Sequence, residues 1–101
     1  SRELQAAMRH MCDRMEQALR EMRISSRVLH PTSLHEALGV QAFAPFGELS
    51  VVSFLGSLEL QHRLLLYVAD PFSSEWTERC LRQADLVLLV GLAEASPALA
   101  P

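Results

Sequence analysis

The stretch from His62 to Leu92 reads HRLLLYVADPFSSEWTERCLRQADLVLLVGL, and it decides the predicted fold. Two apolar runs, Leu64–Ala69 and Leu86–Leu92, flank a segment of helical character, Ser73–Ala84. Neither run alternates strictly between apolar and polar residues, as expected for strands that are covered on both faces. A strand, a helical crossover and a second strand form a parallel βαβ unit, which is nearly always right-handed. The stretch therefore predicts a three-layer αβα domain with a short parallel sheet.

The composition indicates one folded domain. The chain has 101 residues, of which 50% are hydrophobic and 21% are charged, and this balance favours a packed core over disorder. The net charge of −3 gives no reason to expect nucleic acid as a partner, which would require a basic face. No apolar run approaches the ~20 residues of a membrane span and no signal peptide is evident, so we expect a cytoplasmic location.

The cysteines and histidines do not form a recognisable metal or redox motif. Cys12 and Cys80 both sit in apolar helical patterns, so we expect buried free thiols, with a disulfide as the alternative. No cysteine or acidic residue joins His30, His35 or His62 at a spacing typical of metal ligands. We therefore predict neither a metal nor a cofactor.

Residues 1–23 have the pattern of a long amphipathic helix. Apolar residues recur at spacings of three and four, which places them on one stripe. The main interpretation is a helix laid on a sheet, with methionines filling uneven gaps, and the alternative is a methionine-rich docking face for a partner or a lipid tail. The stripe consists of Leu4, Met8, Met11, Met15, Ala18 and Met22.

Shorter elements are predicted after this helix. Arg27–His30 is a short strand candidate that ends at Pro31. Ser33 and Glu36 have the spacing of a capping box, in which each side chain accepts a hydrogen bond from the other residue's backbone N–H. Gly39 is a natural end for the helix that follows this cap.

A second long helix is predicted after a loop. Val40–Glu48 contains a proline and a glycine and reads as the loop. The helical pattern begins at Ser50, and Glu59–His62 is expected to turn into the central strand. One face of this helix holds Val51, Phe54, Leu55 and Leu58.

Asp70 is the candidate site residue. It follows the apolar strand Leu64–Ala69 and precedes Pro71, and an acidic residue at the end of such a strand is typical of a Walker B carboxylate, which holds Mg²⁺. Such a site also needs a glycine-rich phosphate loop with its lysine, and the sequence has neither. We therefore prefer a turn or helix-capping role for Asp70, with Ser73 or Ser74 capping the next helix. The buried face of that helix is predicted to hold Trp76, Cys80, Leu81 and Ala84.

The same stretch resembles a known family. WTERCLRQAD from Trp76 to Asp85, followed by LVLLVGL, is similar to the segment just ahead of the catalytic domain in neuropathy target esterase and its bacterial relatives, which are patatin-like phospholipases. HRLLLY from His62, the Ala69–Asp70 pair, Phe54–Gly56 and the Leu38–Gly39 helix end fit the same family. The resemblance is close over about residues 52–92 and looser over 1–51, and we expect a bacterial-type member.

This resemblance implies a parent enzyme that is a serine hydrolase acting on lysophospholipids and related esters. The Ser–Asp dyad of the family lies in a G-x-S-x-G elbow and a D-G-[AG] motif, and this chain contains neither, since Gly56–Ser57 lacks the rest of the elbow. No catalytic residue is therefore assigned. The segment is also similar to ParA/MinD-type P-loop NTPase domains that have lost the phosphate loop. That similarity implies a Rossmann-like, degenerate P-loop sheet in which Asp70 is a relic of the Walker B carboxylate.

Two function classes follow from these observations. The first is a non-catalytic connector or regulatory module whose partners are the patatin catalytic domain and the cyclic-nucleotide-binding-like domain of the same polypeptide. The second is a stand-alone domain that binds a ligand or a protein at the carboxyl ends of the strands without hydrolysing nucleotide. Membrane contact is expected for the parent only, as a peripheral protein.

The predicted domain spans residues 1–93, and the Pro/Ala-rich residues 94–101 form a linker. A helix that covers a parallel sheet normally belongs to a strand–helix–strand crossover, yet no strand precedes the helix that starts at Ser1. We therefore expect a domain that is incomplete at its N-terminus. The predicted sheet of Arg27–His30, Leu64–Ala69 and Leu86–Leu92 would then have an unpaired edge or a gap, which favours self-association or marginal stability of the isolated chain.

Overall fold

Helices and two short strands make up the regular structure of residues 2–39 and 47–93, which are the residues that the computed structural model describes. The strands are short, and the first and third helices are the longest of the described helices. Residues 40–46 of the predicted loop and residues 94–101 of the predicted linker lie outside the described residues. In chain order the elements are α1 (Arg2–Glu21), β1 (Ser26–Leu29), α2 (Ser33–Leu38), α3 (Glu48–Gln61), β2 (Leu64–Tyr67) and α4 (Glu75–Gln83).

The sheet of the described residues contains β1 and β2, which pair in parallel. Ser26 lies opposite Leu64, and Leu29 lies opposite Tyr67. Because parallel strands need a crossover, the chain passes through α2 and α3 between them. The prediction of a mixed α/β domain with a short parallel sheet is therefore confirmed, although each strand is shifted or shorter than predicted by one or two residues.

The predicted third strand, Leu86–Leu92, is wrong for the described structure. This segment has no regular secondary structure, and the parallel partner of β2 is β1 rather than this segment. Leu89 is 96% exposed and Leu86 is 77% exposed. An apolar run becomes a strand only when a neighbouring strand takes up its backbone hydrogen bonds, and the described residues supply no such neighbour.

The hydrophobic core lies on one face of the sheet, under α3 and α4. Leu29 of β1 is fully buried in it, and Leu65 and Tyr67 of β2 pack against it. Because side chains alternate between the two faces of a strand, Val28 and Leu66 point to the opposite face. The buried residues of this core are Leu29, Leu34, Val51, Leu55, Leu58, Trp76 and Cys80.

Helix α1 packs against β1 but contributes no residue to this core. We place it on the opposite face of the sheet, which completes the predicted three-layer αβα arrangement. Its buried residue is Cys12, while Met8, Met11 and Met15 are half-buried. The predicted stripe is therefore wrong at its C-terminal end, where Met22 lies past the last turn of α1 and is 66% exposed.

The predicted capping box at Ser33 and Glu36 is wrong. Thr32 is the N-cap of α2, and its carbonyl oxygen accepts the hydrogen bond from the Glu36 N–H at 2.9 Å. The Ser33 hydroxyl instead accepts a hydrogen bond from the backbone N–H of His30 at 2.8 Å. The predicted helix end at Gly39 is confirmed, because Gly39 has a φ of 71°, which favours glycine.

Helix α3 extends beyond the predicted helix at both ends. It begins at Glu48, within the predicted loop, and continues through Gln61, within the predicted turn. The backbone N–H of His62 donates to the Leu58 carbonyl and ends the helix. The predicted apolar face is confirmed, since Val51, Leu55 and Leu58 are buried and Phe54 packs against them. Among the described helices, none combines the length and apolar content that crossing a membrane requires.

Candidate functional site

The carboxyl end of β2 and the turn into α4 hold the predicted site residue. Asp70 lies in this turn, and Ser74 is the N-cap of α4. The Ser74 hydroxyl accepts a hydrogen bond from the Thr77 N–H at 3.0 Å and donates to Asp70 Oδ2 at 2.6 Å. The Asp70 N–H in turn donates to Thr77 Oγ1 at 3.1 Å, and Thr77 Oγ1 donates to the Phe72 carbonyl at 3.0 Å.

This network gives Asp70 a structural role. Its carboxylate accepts a hydrogen bond from the residue that caps α4, close to the helix N-terminus, where the helix dipole favours a negative charge. Asp70 therefore lies in the turn and accepts the hydroxyl hydrogen bond of the cap, and of the two predicted cap residues Ser74 rather than Ser73 is the cap. Among the described residues, no group of three histidine, cysteine or acidic side chains could hold a metal ion around Asp70 or elsewhere.

Trp76 connects this turn to the core. Its indole Nε1 donates a hydrogen bond to the Val68 carbonyl at 2.7 Å. Its ring lies 6.1 Å from the Tyr67 ring, centroid to centroid, at an interplanar angle of 57°, which is a favourable tilted arrangement. The Tyr67 hydroxyl is buried and has no hydrogen-bond partner among the described residues, and burial raises the pKa of this phenol. The aromatic pair therefore fixes α4 against the end of β2.

The two cysteines are free and buried, as predicted. Burial raises the pKa of the Cys80 thiol to about 11, with Asp70 contributing in the same direction. Burial also raises the pKa of the Cys12 thiol, and Asp13 and Glu16 add to the effect. Because the thiolate is the nucleophilic form, neither cysteine has the environment of an activated nucleophile.

A serine–histidine contact occurs at the other end of the sheet. The hydroxyl of Ser25 lies 2.8 Å from Nδ1 of His62, and both residues lie at the entrances of their strands. The Ser25 carbonyl also accepts hydrogen bonds from the N–H groups of Arg63 and Leu64. In the described part of the chain no acidic side chain hydrogen-bonds to His62, so the group that orients the base in a catalytic triad is missing. The contact joins the two strand starts.

An ion pair links α4 to α3. The Arg79 guanidinium hydrogen-bonds to the Glu48 carboxylate, and this bond holds the pKa of the Glu48 carboxyl below its usual value. The Arg79 side chain is mostly buried while that of Glu48 is exposed, so water screens the pair on one side. The ion pair joins the first turn of α3 to α4.

Sequence reasoning identified Asp70, Ser74 and the two cysteines but missed the contacts across the fold. Ser25 and His62 are 37 residues apart, and Glu48 and Arg79 are 31 apart, and no local pattern signals either pair. The hydrogen bond that the Trp76 indole donates was weakly predictable from the sequence, because a buried indole N–H usually has an acceptor. Among the described residues, neither His35 nor His62 belongs to a group of side chains that could hold a metal ion.

Comparison with known proteins identifies the family. The family model described as the neuropathy target esterase family P-loop like domain matches residues 3–100. The chain is 40% identical over 92 residues to lysophospholipase nte1 of Aspergillus oryzae, and 41% identical over 93 residues to that of Aspergillus fumigatus. Lysophospholipase NTE1 of Phaeosphaeria nodorum is 46% identical over 70 residues, which is 68% of this chain.

These alignments cover 85% and 86% of this chain for the two Aspergillus proteins, but the chain spans only 6% of the length of either. No solved structure matches the chain. The expected bacterial type has no support among these relatives, which come from Aspergillus and Phaeosphaeria species. The resemblance that rested on the Trp76–Asp85 string is confirmed over almost the whole chain: it belongs to the neuropathy target esterase family, as its P-loop-like domain.

Proposed function

We propose that this chain is a non-catalytic connector module of a larger lysophospholipase. The observation that carries the proposal is the family match over residues 3–100, combined with relatives that are named lysophospholipases and are far longer than the chain. In such a polypeptide the esterase chemistry belongs to a patatin catalytic domain. The module joins that domain to a cyclic-nucleotide-binding-like domain, and the whole protein works in the cytoplasm at a membrane surface.

The hydrogen bonds of the candidate site support a connector rather than an enzyme. The Asp70 carboxylate accepts a hydrogen bond from the cap residue Ser74, and the thiols have raised pKa values. Among the residues that the structure describes, no acid hydrogen-bonds to His62 to orient the Ser25–His62 contact. A connector has to hold its neighbouring domains in a defined relative position. The contacts from β2 to α4 and from α4 to α3 join these elements on the core face of the sheet, which suits that role. The alternative, a stand-alone domain that binds a ligand at the strand ends, has less support because Asp70 is already hydrogen-bonded there.

The test is hydrolysis of lysophospholipid and p-nitrophenyl esters by the 101-residue chain and by its parent polypeptide. We expect turnover by the parent and none above buffer by the chain. Ser25→Ala is the informative variant, because Ser25 is hydrogen-bonded to a histidine. Ser57→Ala is the matched control, since its hydroxyl donates only to the Phe54 carbonyl within α3. Turnover by the chain that survives repurification and disappears in Ser25→Ala but not in Ser57→Ala would overturn the proposal.

A further inference from the structure

The outer face of α3 is apolar, and no helix or strand of the described residues covers it. The helix packs on β2 and α2, and its buried residues all lie on that inner side. On the outer side, Leu49 is 81% exposed, Val52 is 52% exposed and Leu60 is 91% exposed. A helix of a globular protein that is apolar all round is normally buried all round. We therefore expect the outer face of α3 to have a partner in the whole protein.

The exposed residues of α3 form one continuous stripe. Leu49, Ser53, Gly56 and Leu60 follow one another at intervals of four, three and four residues, so they lie on one side of the helix, with Val52 beside them. Gly56 lies in the middle of the stripe, and a Cβ atom at this position would meet open space. Because small residues at the centre lie between a leucine at each end, a second helix can approach closely across this face.

A shallow pocket of about 470 Å³ continues the stripe towards α2. Leu49 and Ser53 line the pocket from the stripe, and Leu38, the last residue of α2, forms part of its apolar wall. A pocket beside an exposed apolar face can hold a large side chain of a partner, and such anchors carry most of the binding energy of an interface. Together the stripe and the pocket form the α3 surface, whose main residues are Leu38, Leu49, Val52, Ser53, Gly56 and Leu60.

The size of the α3 surface favours a partner from the same polypeptide. Separate chains that associate stably bury about 800 Å² each, over about 20–30 residues. The α3 surface is one helix face with one pocket, which is well below that size. A tethered partner is already present at a high effective concentration, so a smaller contact is sufficient. The relatives can supply such a partner, since this chain spans only 6% of the length of the two Aspergillus proteins.

The charges beside the α3 surface disfavour a second copy and favour a basic partner. The charged residues of α3 are Glu48 and Glu59, and the helix contains no basic residue. Glu48 pairs with Arg79, whereas Glu59 is exposed and forms no ion pair within the described part of the chain. A contact between two copies of α3 would bring only acidic residues together, which is unfavourable. Lysine or arginine beside the apolar face of a partner helix would instead complement Glu59.

We propose that the α3 surface docks a helix from a neighbouring domain of the same polypeptide. The apolar face of this partner helix packs across Gly56, between Leu49 and Leu60, and places one large side chain in the pocket. Basic residues at the edge of that face lie against Glu59. The inference rests on the proposed connector function and adds the surface by which the module holds one of its neighbours.

Cysteine labelling in the parent polypeptide tests whether the α3 surface is covered. Leu60→Cys and Phe72→Cys are made separately, and their reaction with N-ethylmaleimide is followed by peptide mass spectrometry, each relative to its rate in urea. Phe72 is the matched control, because it is 64% exposed and lies outside the α3 surface. Without a partner, Leu60→Cys should react at least as fast as Phe72→Cys, since Leu60 is the more exposed residue. With the proposed partner it should react at least about tenfold more slowly. Equal rates, or a faster reaction of Leu60→Cys, would overturn the proposal.

Gly56→Leu tests whether the covering element crosses the middle of the stripe. Leucine has a higher helix propensity than glycine and meets open space here, so the module itself should not be destabilised. In the parent, leucine occupies the place of the partner helix, so Leu60→Cys should then react at least about fivefold faster. Gln17→Leu is the matched control, because it adds a leucine at an exposed position of α1. Slow labelling of Leu60→Cys that Gly56→Leu leaves unchanged would contradict the proposal.

Self-association gives a different result from the proposed contact. If a second copy covers the α3 surface, the protection of Leu60→Cys decreases when the parent is diluted, and Leu60→Glu converts a dimer into a monomer in sedimentation. That outcome contradicts the proposal.

Failure of the docking surface is distinguishable from failure of the connector function. Ester hydrolysis by the 101-residue chain overturns the connector function. Fast labelling of Leu60→Cys in a parent whose isolated module hydrolyses no ester overturns the docking surface alone.

Discussion

The indole Nε1 of Trp76 donates a hydrogen bond to the Val68 carbonyl at 2.7 Å, and this bond ties the first turn of α4 to the residue that follows β2. Trp76 is buried in the core beside Cys80. A strand this short has few hydrogen bonds of its own, so its position depends on such contacts from the helix that follows. The Trp76–Val68 contact is therefore expected to carry much of the stability of this end of the domain.

We expect Trp76→Phe to destabilise the chain by about 1–3 kcal/mol, because it leaves the Val68 carbonyl unpaired next to the core. Trp76→Ala should cost about 3–5 kcal/mol, since it also creates a cavity. The measurement is urea unfolding followed by circular dichroism. Phe72→Leu is the control, because Phe72 is largely exposed and its replacement should change stability by less than ~0.5 kcal/mol. A Trp76→Phe variant as stable as that control would show that the hydrogen bond is dispensable.

The hydrogen bond between Asp70 and Ser74 should be visible in the stability of α4. Asp70→Ala removes the acceptor for the Ser74 hydroxyl and the negative charge near the helix N-terminus, so we expect a loss of about 1–2 kcal/mol. Asp70→Asn keeps an acceptor oxygen and should lose less. Ser74→Ala, which removes the cap itself, should cost about 1 kcal/mol. The double variant Asp70→Ala/Ser74→Ala tests the coupling. If its loss in free energy of unfolding equals the sum of the losses of the two single variants, the two side chains are not coupled.

The local elements of this fold were largely predictable, because their signals are local. The periodicity of Leu4 to Met15 located α1, and the helix dipole and cap pattern around Ser74 located α4. The face of α3 was predicted from Val51, Leu55 and Leu58. In each case a period of three and four residues or a cap decides the structure without help from distant residues.

The sheet was less predictable, because strand pairing is decided between residues far apart in sequence. Leu86–Leu92 has the composition of a buried strand, yet it can form one only beside a partner strand, and the sequence of one element does not tell whether the partner is present. The Ser25–His62 contact was not predictable for the same reason, since it requires β1 and β2 in register. The failed capping box has a different, local cause, because the Ser33 hydroxyl accepts a hydrogen bond from the N–H of His30, three residues earlier.

ATP with Mg²⁺ should leave the Tm of the chain unchanged. A ligand raises the Tm only by binding the native state, and the sequence has no phosphate loop or lysine to bind the phosphates. Differential scanning fluorimetry over a nucleotide titration measures this, with ADP and Mg²⁺ alone run in parallel. A saturable upward shift that Asp70→Asn abolishes would show that Asp70 acts as a Walker B carboxylate in addition to its role in the cap.

Cys80 should resist alkylation in the native chain. Burial raises the pKa of its thiol to about 11, so very little thiolate is present at pH 8. Cys12, whose pKa is also raised by burial, should behave similarly. We expect iodoacetamide to modify both residues slowly in buffer and rapidly in urea, as followed by intact mass. Cys12→Ser and Cys80→Ser separate the two signals, and fast native labelling of the Cys12→Ser chain would contradict the buried position of Cys80.

The Glu48–Arg79 pair should stabilise the chain at neutral pH and lose this effect in acid. The hydrogen bond from Arg79 lowers the pKa of the Glu48 carboxyl from its usual value of 4.5. A carboxyl whose pKa is lower in the folded than in the unfolded state contributes stability above its unfolded pKa, and the contribution disappears as the pH falls through the folded pKa. Glu48→Gln should therefore be less stable than the natural chain above pH 4.5 and equally stable well below it. High salt should reduce the difference, because Glu48 is exposed.

Urea unfolding of both chains between pH 7 and pH 3 measures this difference in stability, with Glu75→Gln, outside the ion pair, as the control. A difference between Glu48→Gln and the natural chain that persists unchanged at pH 3 would mean that the side chain acts through packing rather than through its charge.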